Sequence, residues 1–239
     1  MFIYGRNVII EALKSNVEVY EINLERNIKI EGKVGEIINL AKIKGTTVEF
    51  VDKKKLESKS LSPEHQGVGA SINFKLHNLK DIFNSAENLN KSYIYISEAT
   101  YEHNVGAIIR TAECAGLGGV ILPTDIKINP TIIKMSTGAA LHIPIVNLAI
   151  YQALKEFKQN SFEIIGIERD GESLFKTRMN QPALLIIGGE DKSLSDNLRE
   201  HCNKIVEIPQ AGKVNSLNMS VAAGIIIYEH LRQLNQTNV

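Results

Sequence analysis

The first 75 residues alternate between two hydrophobic periods, that of an amphipathic helix and that of a β-strand. Apolar residues at helical spacing, with Gly45 closing the longest run, predict helices over residues 6–14, 33–44 and 53–59. β-Branched runs predict strands over residues 19–24, 46–51 and 68–74. We therefore expect residues 1–75 to form a small α/β domain.

Residues 76–91 interrupt this pattern. The stretch is rich in Asn and also contains His77 and Ser85. Polar segments of this composition typically connect domains. We expect residues 76–91 to form a linker that holds a short helix.

A second α/β series fills residues 92–239. Apolar runs predict strands over residues 92–97, 119–122, 143–148, 163–167, 183–187 and 204–208. Amphipathic segments between them predict helices over residues 104–115, 130–135, 151–158, 195–201 and 218–233. Strands that are apolar throughout and alternate with helices indicate a mostly parallel sheet that is covered on both faces.

Composition narrows the class of protein. The 239 residues are 44% hydrophobic and 23% charged, which is ordinary for a globular protein, and no uncharged apolar run is long enough to span a membrane. The N-terminus lacks the pattern of a signal peptide, and Cys114 and Cys202 form neither a disulfide framework nor a zinc-binding spacing. We therefore expect a cytoplasmic protein.

Net charge bears on nucleic-acid binding. A net charge of 0 argues against a strongly electrostatic nucleic-acid binder, although it leaves room for a local basic face. One basic run consists of Lys53, Lys54 and Lys55. This run is either a solvated helix face or a set of phosphate contacts.

Polar clusters follow three strands of the second series. The first contains Asn104 and Arg110, the second contains Glu190 after Gly188, and the third contains Ser216 together with Asn218. The carboxyl ends of parallel strands meet at one edge of a sheet, where α/β proteins bind ligands. These clusters predict a polar pocket with one cation and one carboxylate.

Each of these residues also has a simpler structural role open to it. Asn104 is a possible helix N-cap, Arg110 a surface ion-pair partner, and Glu190 a charge at a helix start. Ser216 or Asn218 must cap the last helix. No Ser-His-Asp order, metal-ligand spacing or reactive-cysteine setting is present, so chemistry that needs no metal is favoured.

Three segments resemble, in order, the motifs of the SpoU/TrmH family of RNA ribose 2′-O-methyltransferases, which belongs to the SPOUT class. They are NVGAIIRTA at residues 104–112, GGEDKSLS at residues 188–195 and IPQAGKVNSLNMSVAAG at residues 208–224. The segments YGRNVIIEAL at residues 4–13 and HQGV at residues 65–68 resemble the family's N-terminal substrate-binding domain, whose fold is like that of ribosomal protein L30e. The two-domain layout is most similar to the enzymes that methylate a guanosine in 23S rRNA.

The resemblance implies an α/β trefoil knot over residues 92–239 that binds S-adenosylmethionine, and it implies a homodimer that acts on RNA without a metal. By motif position, the methyl donor contacts Gly188, Ile208 and Leu217. The implied catalytic-site residues are Asn104, Arg110, Glu190, Ser216 and Asn218. The candidate phosphate contacts in the L30e-like domain are Arg6, Lys53, Lys54 and Lys55.

Arg110 is the base proposed for the family, but a guanidinium stays protonated, so we favour mainly a phosphate clamp for it and keep the base role open. Asp191 and Ser193 stand where the second motif commonly has glycine. This departure is the support for one alternative, a non-catalytic RNA-binding or ribosome-assembly factor with a SPOUT fold. A second alternative is a 2′-O-methyltransferase that acts on a different rRNA or tRNA nucleotide.

Overall fold

The structure, a computed structural model, describes residues 1–98, 100–189, 193–214 and 216–237. They divide into two compact units. The first consists of Met1–Lys75 together with Ile128–His142, and the second of Leu76–Lys127 together with the chain from Ile143 onward. In the described part of the chain, no helix is both long and apolar enough to cross a membrane.

Strands and helices are numbered in chain order. The strands within the described residues are β1 (Phe2–Tyr4), β2 (Glu18–Glu25), β3 (Thr47–Val51), β4 (Val68–Asn73), β5 (Tyr93–Ile96), β6 (Gly119–Leu122), β7 (Ile145–Asn147), β8 (Glu163–Ser173), β9 (Ala183–Ile187) and β10 (Lys204–Glu207). The helices are α1 (Arg6–Lys14), α2 (Lys33–Lys44), α3 (Lys53–Ser60), α4 (Leu79–Phe83), α5 (Ala86–Leu89), α6 (Glu102–Cys114), α7 (Pro130–Met135), α8 (Ile150–Gln159), α9 (Asp196–Glu200) and α10 (Met219–Thr237). The sequence pattern missed β1, which is too short to show a period.

A four-stranded sheet with the strand order β1-β4-β2-β3 forms the centre of the first unit. β2 and β3 are parallel, whereas β4 is antiparallel to both of its neighbours. The apolar stripe of α1 is buried, and α2 ends at Gly45, whose φ of 68° is the left-handed conformation that glycine adopts without strain. The predicted small α/β unit is confirmed.

Residues 128–142 belong to the first unit, although the sequence pattern assigned them to the second domain. The helix α7 contacts β1, and the Lys134 ammonium lies 5.6 Å from the centre of the Tyr4 ring. His142 Nε2 is 2.9 Å from Glu11 Oε2 on α1. Ile132, Ile133 and their apolar neighbours are buried. Their hydrophobic period predicts that they are buried, but it does not indicate which sheet covers them.

A six-stranded, wholly parallel sheet with the order β10-β8-β9-β5-β6-β7 forms the second unit. Every residue of β5, β6 and β9 is buried. Parallel strands that are buried along their whole length have both faces covered. The predicted parallel sheet is confirmed.

The segment predicted as a linker packs on the second unit. Leu79 and Ile82 of α4 join the core cluster that contains Tyr93 and Phe157, and the Phe83 and Phe157 rings meet edge to face at 5.1 Å. The many Asn residues of this segment led to its prediction as a linker. Burial of its few apolar side chains holds α4 on the second unit.

The strand β8 is longer than predicted because it pairs with β10 in two separate stretches. Ile205 lies opposite Gly166, but the next residue, Val206, lies opposite Glu172. The pairing with β10 therefore skips residues 167–171, although Ile167 still pairs with Ile187 of β9. A Cβ on Gly171 would lie 2.6 Å from the Val206 carbonyl carbon, so only glycine allows the two backbones to approach this closely.

Candidate active site

The loops that follow β5, β9 and β10, together with the middle of β8, meet around one cavity of about 380 Å³ in the second unit. This is the strand edge at which the sequence predicted a pocket. The lining residues are Tyr101, Asn104, Ile167, Glu168, Arg169, Ile187, Gly188, Gly189, Ser193, Ile208, Gln210, Ser216, Leu217, Asn218, Met219 and Ala222. Six of the predicted site residues are among them.

Asn104 and Asn218, which lie 114 positions apart in sequence, are joined across the cavity wall by a hydrogen bond. Asn218 Nδ2 donates to Asn104 Oδ1 at 3.2 Å, and the Asn104 side chain is buried. The helix α6 begins at Glu102 with Tyr101 in the N-cap position. The N-cap role considered for Asn104 is therefore wrong, and this residue instead connects α6 to the start of α10.

Asn218 caps α10. Its Oδ1 accepts hydrogen bonds from the backbone N–H of Ser220 at 2.9 Å and of Val221 at 3.4 Å. Because Asn218 supplies the cap, Ser216 is not needed for that purpose, and it lies on the cavity wall. By contrast, Ser195 caps α9, because its side chain accepts a hydrogen bond from Leu198 N–H.

Two glycines after β9 bring the backbone to the cavity surface. A Cβ on Gly189 would lie 2.7 Å from Glu98 Oε2, so the carboxylate that follows β5 occupies the space that a side chain would fill. Gly188 lines the same cavity, where its backbone is open to a ligand. Glu190 and the neighbouring Asp191 lie outside the described residues.

Glu168 is a cavity residue that the sequence analysis missed. Its Oε2 accepts a hydrogen bond from Leu194 N–H at 2.8 Å, and its Oε1 accepts from Arg169 N–H at 3.1 Å. The Glu168 carboxylate therefore connects the end of the loop after β9 to the middle of β8 by hydrogen bonds. The signal was present, because Glu168 and Arg169 also follow an apolar strand run, as the three polar clusters do.

The walls between these polar groups are apolar. Ile167, Ile187 and Met219 are buried around the cavity, whereas Leu217 remains 40% exposed beside it. Apolar walls with a few convergent polar groups are typical of a small-molecule site. Among the described residues, no group of three or more His, Cys, Asp or Glu side chains could hold a metal ion.

The helix α10 is anchored behind the cavity by a buried histidine. His230 is 1% exposed, and its Nε2 lies 2.8 Å from Ser92 Oγ, which also accepts from Ala183 N–H at 3.0 Å. Burial lowers the pKa of His230 to about 4. The imidazole is therefore neutral near neutral pH.

Arg110 lies on the exposed side of α6 and is not among the residues that line the cavity. The helices α6 and α10 pack together where a Cβ on Gly224 would lie 4.0 Å from Thr111 Cγ2. On α10, Val221 and Tyr228 are each 50% exposed. Arg110 on α6 and the apolar side chains of Val221 and Tyr228 on α10 are therefore exposed to solvent.

The four predicted phosphate contacts lie in the first unit. Lys53 and Lys55 form ion pairs with Glu57 at 3.7 Å and with Glu49 at 3.0 Å. Lys54 is exposed on α3, and Arg6 is half-buried at the start of α1.

Two protein families match the chain. The SpoU rRNA Methylase family matches residues 91–228, and the family described as RNA 2'-O ribose methyltransferase substrate binding matches residues 2–77. The two matches follow one another along the chain, as the resemblance of the motifs predicted. The predicted pairing of an N-terminal substrate-binding part with a C-terminal methylase part is confirmed.

Relatives of similar length are named as RNA methyltransferases. A Bacillus subtilis protein named putative TrmH family tRNA/rRNA methyltransferase YacO is 34% identical over 98% of this chain and 96% of its own length. The Xylella fastidiosa 23S rRNA (guanosine-2'-O-)-methyltransferase RlmB is also 34% identical, over 97% of this chain and 96% of its own length.

Solved structures show the same fold. The SpoU methyltransferase AviRb from Streptomyces viridochromogenes, crystallised with AdoMet, superposes with a TM-score of 0.82 over 98% of this chain and 90% of its own, at 23% identity. With a family match over more than half of the chain and relatives above 30% identity over nearly all of it, this protein belongs to the SpoU rRNA methylase family.

Proposed function

We propose that this protein transfers a methyl group from S-adenosylmethionine to the ribose 2′-hydroxyl of a guanosine in a 23S rRNA stem-loop, in the cytoplasm. The observation that carries the proposal is the meeting of the three motif segments around one cavity through Asn104, Gly188 and Asn218. The choice of a 23S rRNA guanosine rests on the relative that carries that name. Other relatives are named only for tRNA or rRNA.

The cavity suits the methyl donor in its chemistry. When bound, S-adenosylmethionine supplies an electrophilic methyl group on a positively charged sulfur. Ile208 and Leu217 offer apolar contacts and backbone polar groups to a nucleoside, while Gly188 offers backbone without a side chain in the way. These three residues are the donor contacts that we propose.

The ribose hydroxyl is a poor nucleophile that must lose its proton during attack. Holding a hydroxyl in line with the methyl group supplies up to roughly 7–11 kcal/mol of barrier reduction in well-oriented systems. We assign this orientation to Ser216 and to the Asn104–Asn218 pair, which is already fixed by its hydrogen bond. Glu190 holds the loop that follows β9 in this proposal, although it lies outside the described residues.

Arg110 clamps the phosphate next to the target ribose, because a guanidinium presents a fixed fork of donors to phosphate oxygens. Its position away from its own cavity leads us to place it in the neighbouring site of a homodimer. The surface of α6 and α10 that carries Arg110, Val221 and Tyr228 would then pack on a second copy. If so, mixing Arg110→Ala and Ser216→Ala subunits, each of lowered activity alone, raises the activity above that of either variant. A mixture no more active than its components argues against the shared site.

The trefoil knot belongs to the same proposal. The interrupted pairing of β8 with β10 at residues 167–171 and the close approach of Gly171 to Val206 support a β10 segment that is held tightly against β8. In the first unit, Arg6, Lys53, Lys54 and Lys55 contact the RNA, and the three lysines do so through its phosphates.

A methyl-transfer assay on RNA from a strain lacking this protein tests the proposal. Purified protein and radiolabelled S-adenosylmethionine are incubated separately with total rRNA and total tRNA, and the product is mapped by mass spectrometry. The expected product is one 2′-O-methylguanosine in 23S rRNA. Methylation of tRNA would replace the proposed target, and donor binding without transfer to either RNA would favour an assembly factor.

A further inference from the structure

Two segments of the first unit, the start of α1 and the loop before β4, meet at one end of its sheet. β1 pairs with β4 with Tyr4 opposite Gly69, and Gly5 N–H donates to the Val68 carbonyl at 3.1 Å. The Arg6 N–H donates to Gln66 Oε1 at 3.0 Å, and Arg6 Nε donates to the Gln66 carbonyl at 3.2 Å. The two segments therefore form one structural feature, although 60 residues separate them.

A third segment, which follows β2, completes a groove at this end. Glu25 N–H donates to the Gly67 carbonyl at 2.9 Å, so the end of β2 lies beside the loop before β4. The resulting groove of about 310 Å³ is called here the first-unit groove. It is lined by Arg6, Glu25, Asn27, Ile28, Lys29, Glu31, Gln66 and Gly67.

The loop before β4 is held in an uncommon backbone conformation. Gln66 has a φ of 56° and Gly67 a φ of 76°, and Gly67 N–H donates to the buried His65 Nδ1 at 3.0 Å. A Cβ on Gly67 would lie 2.7 Å from Ile28 Cδ1, so the Ile28 side chain covers the glycine. The groove therefore has a fixed apolar floor beside polar side chains.

Arg6 is fixed on the wall of this groove through one edge only. Its Nε is engaged by the Gln66 carbonyl, and within the described residues its two terminal nitrogens have no hydrogen-bond acceptor. A guanidinium held at Nε presents a flat face for stacking and two donor groups for a ligand.

The mixed charge of the groove indicates what it binds. Arg6 and Lys29 are balanced by Glu25 and Glu31, so the groove is a poor trap for phosphate alone. Carboxylate and amide side chains suit the hydrogen-bonding edge of a nucleobase instead, and proteins recognise unpaired RNA bases by such edges together with stacking on Arg planes.

We infer that the first-unit groove binds one unpaired base of the substrate RNA, stacked on Arg6 above Ile28, with its edge facing Asn27 and Gln66. The inference rests on the proposed function, since it names where the RNA is read. It assigns base recognition to the groove, whereas Lys53, Lys54 and Lys55 on α3 contact phosphates only.

Binding of a fluorescein-labelled, mixed-sequence, single-stranded RNA to the full-length protein tests the inference. The groove variants are Arg6→Lys, which keeps the charge but loses the planar fork, and Asn27→Ala. The matched control is Lys54→Gln, which removes a positive charge outside the groove. Loss of one stacked base costs about tenfold in affinity, so both groove variants should bind at least fivefold more weakly.

The salt dependence separates the two kinds of contact. Arg6→Lys should leave the slope of log affinity against log salt unchanged, whereas Lys54→Gln should reduce it by about 0.7. In RNA containing 4-thiouridine, cross-links should map to the groove. Wild-type affinity in both groove variants, or cross-links confined to α3, would overturn the inference.

S-adenosylmethionine binding and methyl transfer are measured on the same samples. Urea unfolding confirms that the first unit of each variant is folded, and donor binding confirms that the cavity in the other unit is intact. If the wild-type protein methylates RNA while the groove variants bind RNA normally, only the groove inference fails. If the wild-type protein neither binds nor methylates RNA, the proposed function fails as well.

Discussion

Acidification should destabilise the second unit through His230, the buried histidine of α10. Burial lowers its folded pKa to about 4, whereas an unfolded histidine titrates near 6.5. Between these values the unfolded chain binds the extra proton, so the contribution of His230 is complete above about pH 6.5 and is lost as the pH falls to about 4. These two pKa values give a loss of about 2 kcal/mol between about pH 7 and about pH 5.

Urea unfolding followed by far-ultraviolet circular dichroism measures this loss, since the chain has no tryptophan. His230→Gln retains a group that can bond to Ser92 Oγ but does not titrate, so its stability should fall by about 2 kcal/mol less than that of the wild type over the same pH interval. His103→Gln is the control, because His103 is exposed. If His230→Gln and the wild type lose equal stability on acidification, the prediction that His230 is buried in its neutral form is refuted.

Three further predictions concern the cavity and its supports. Ser216→Ala should lower the rate of methyl transfer without changing the urea midpoint. Ser195→Ala should lose about 1 kcal/mol of stability, because α9 loses its N-cap, and should keep its activity. Equal effects of the two substitutions would contradict these roles. Glu168→Ala should weaken S-adenosylmethionine binding several-fold in calorimetry, because the loop after β9 loses the hydrogen bond from Leu194 N–H to Glu168. Glu168→Gln should recover much of the affinity. Unchanged binding in both variants would refute this role of Glu168. Gly171→Ala should cost about 1–3 kcal/mol in thermal unfolding through overpacking against β10, while Gly35→Ala in α2, with open space around it, should not destabilise.

Hydrophobic period predicted the parallel sheet because its strands are buried on both faces and are therefore apolar throughout. The same reasoning located the loops of the cavity, since strand ends in a parallel sheet share an edge. The sequence also indicated that Ser216 or Asn218 must cap the last helix. The structure shows that Asn218 both caps α10 and bonds to Asn104.

Other features depend on long-range packing that a single sequence does not encode locally. The bond between Ser92 and His230 joins positions 138 residues apart, and no pattern along the chain connects them. The placement of residues 128–142 in the first unit has the same origin. Glu168 differs from these, because it followed an apolar run and could have been selected by the rule that selected Glu190.

Ribose-methylation mapping in a strain that lacks this protein tests the proposed methylation of a guanosine ribose in 23S rRNA. We expect one 2′-O-methylguanosine to disappear from 23S rRNA, the wild-type protein to restore it, and Arg110→Ala to leave it missing. Unchanged 23S rRNA methylation together with loss of a tRNA methyl group would contradict it.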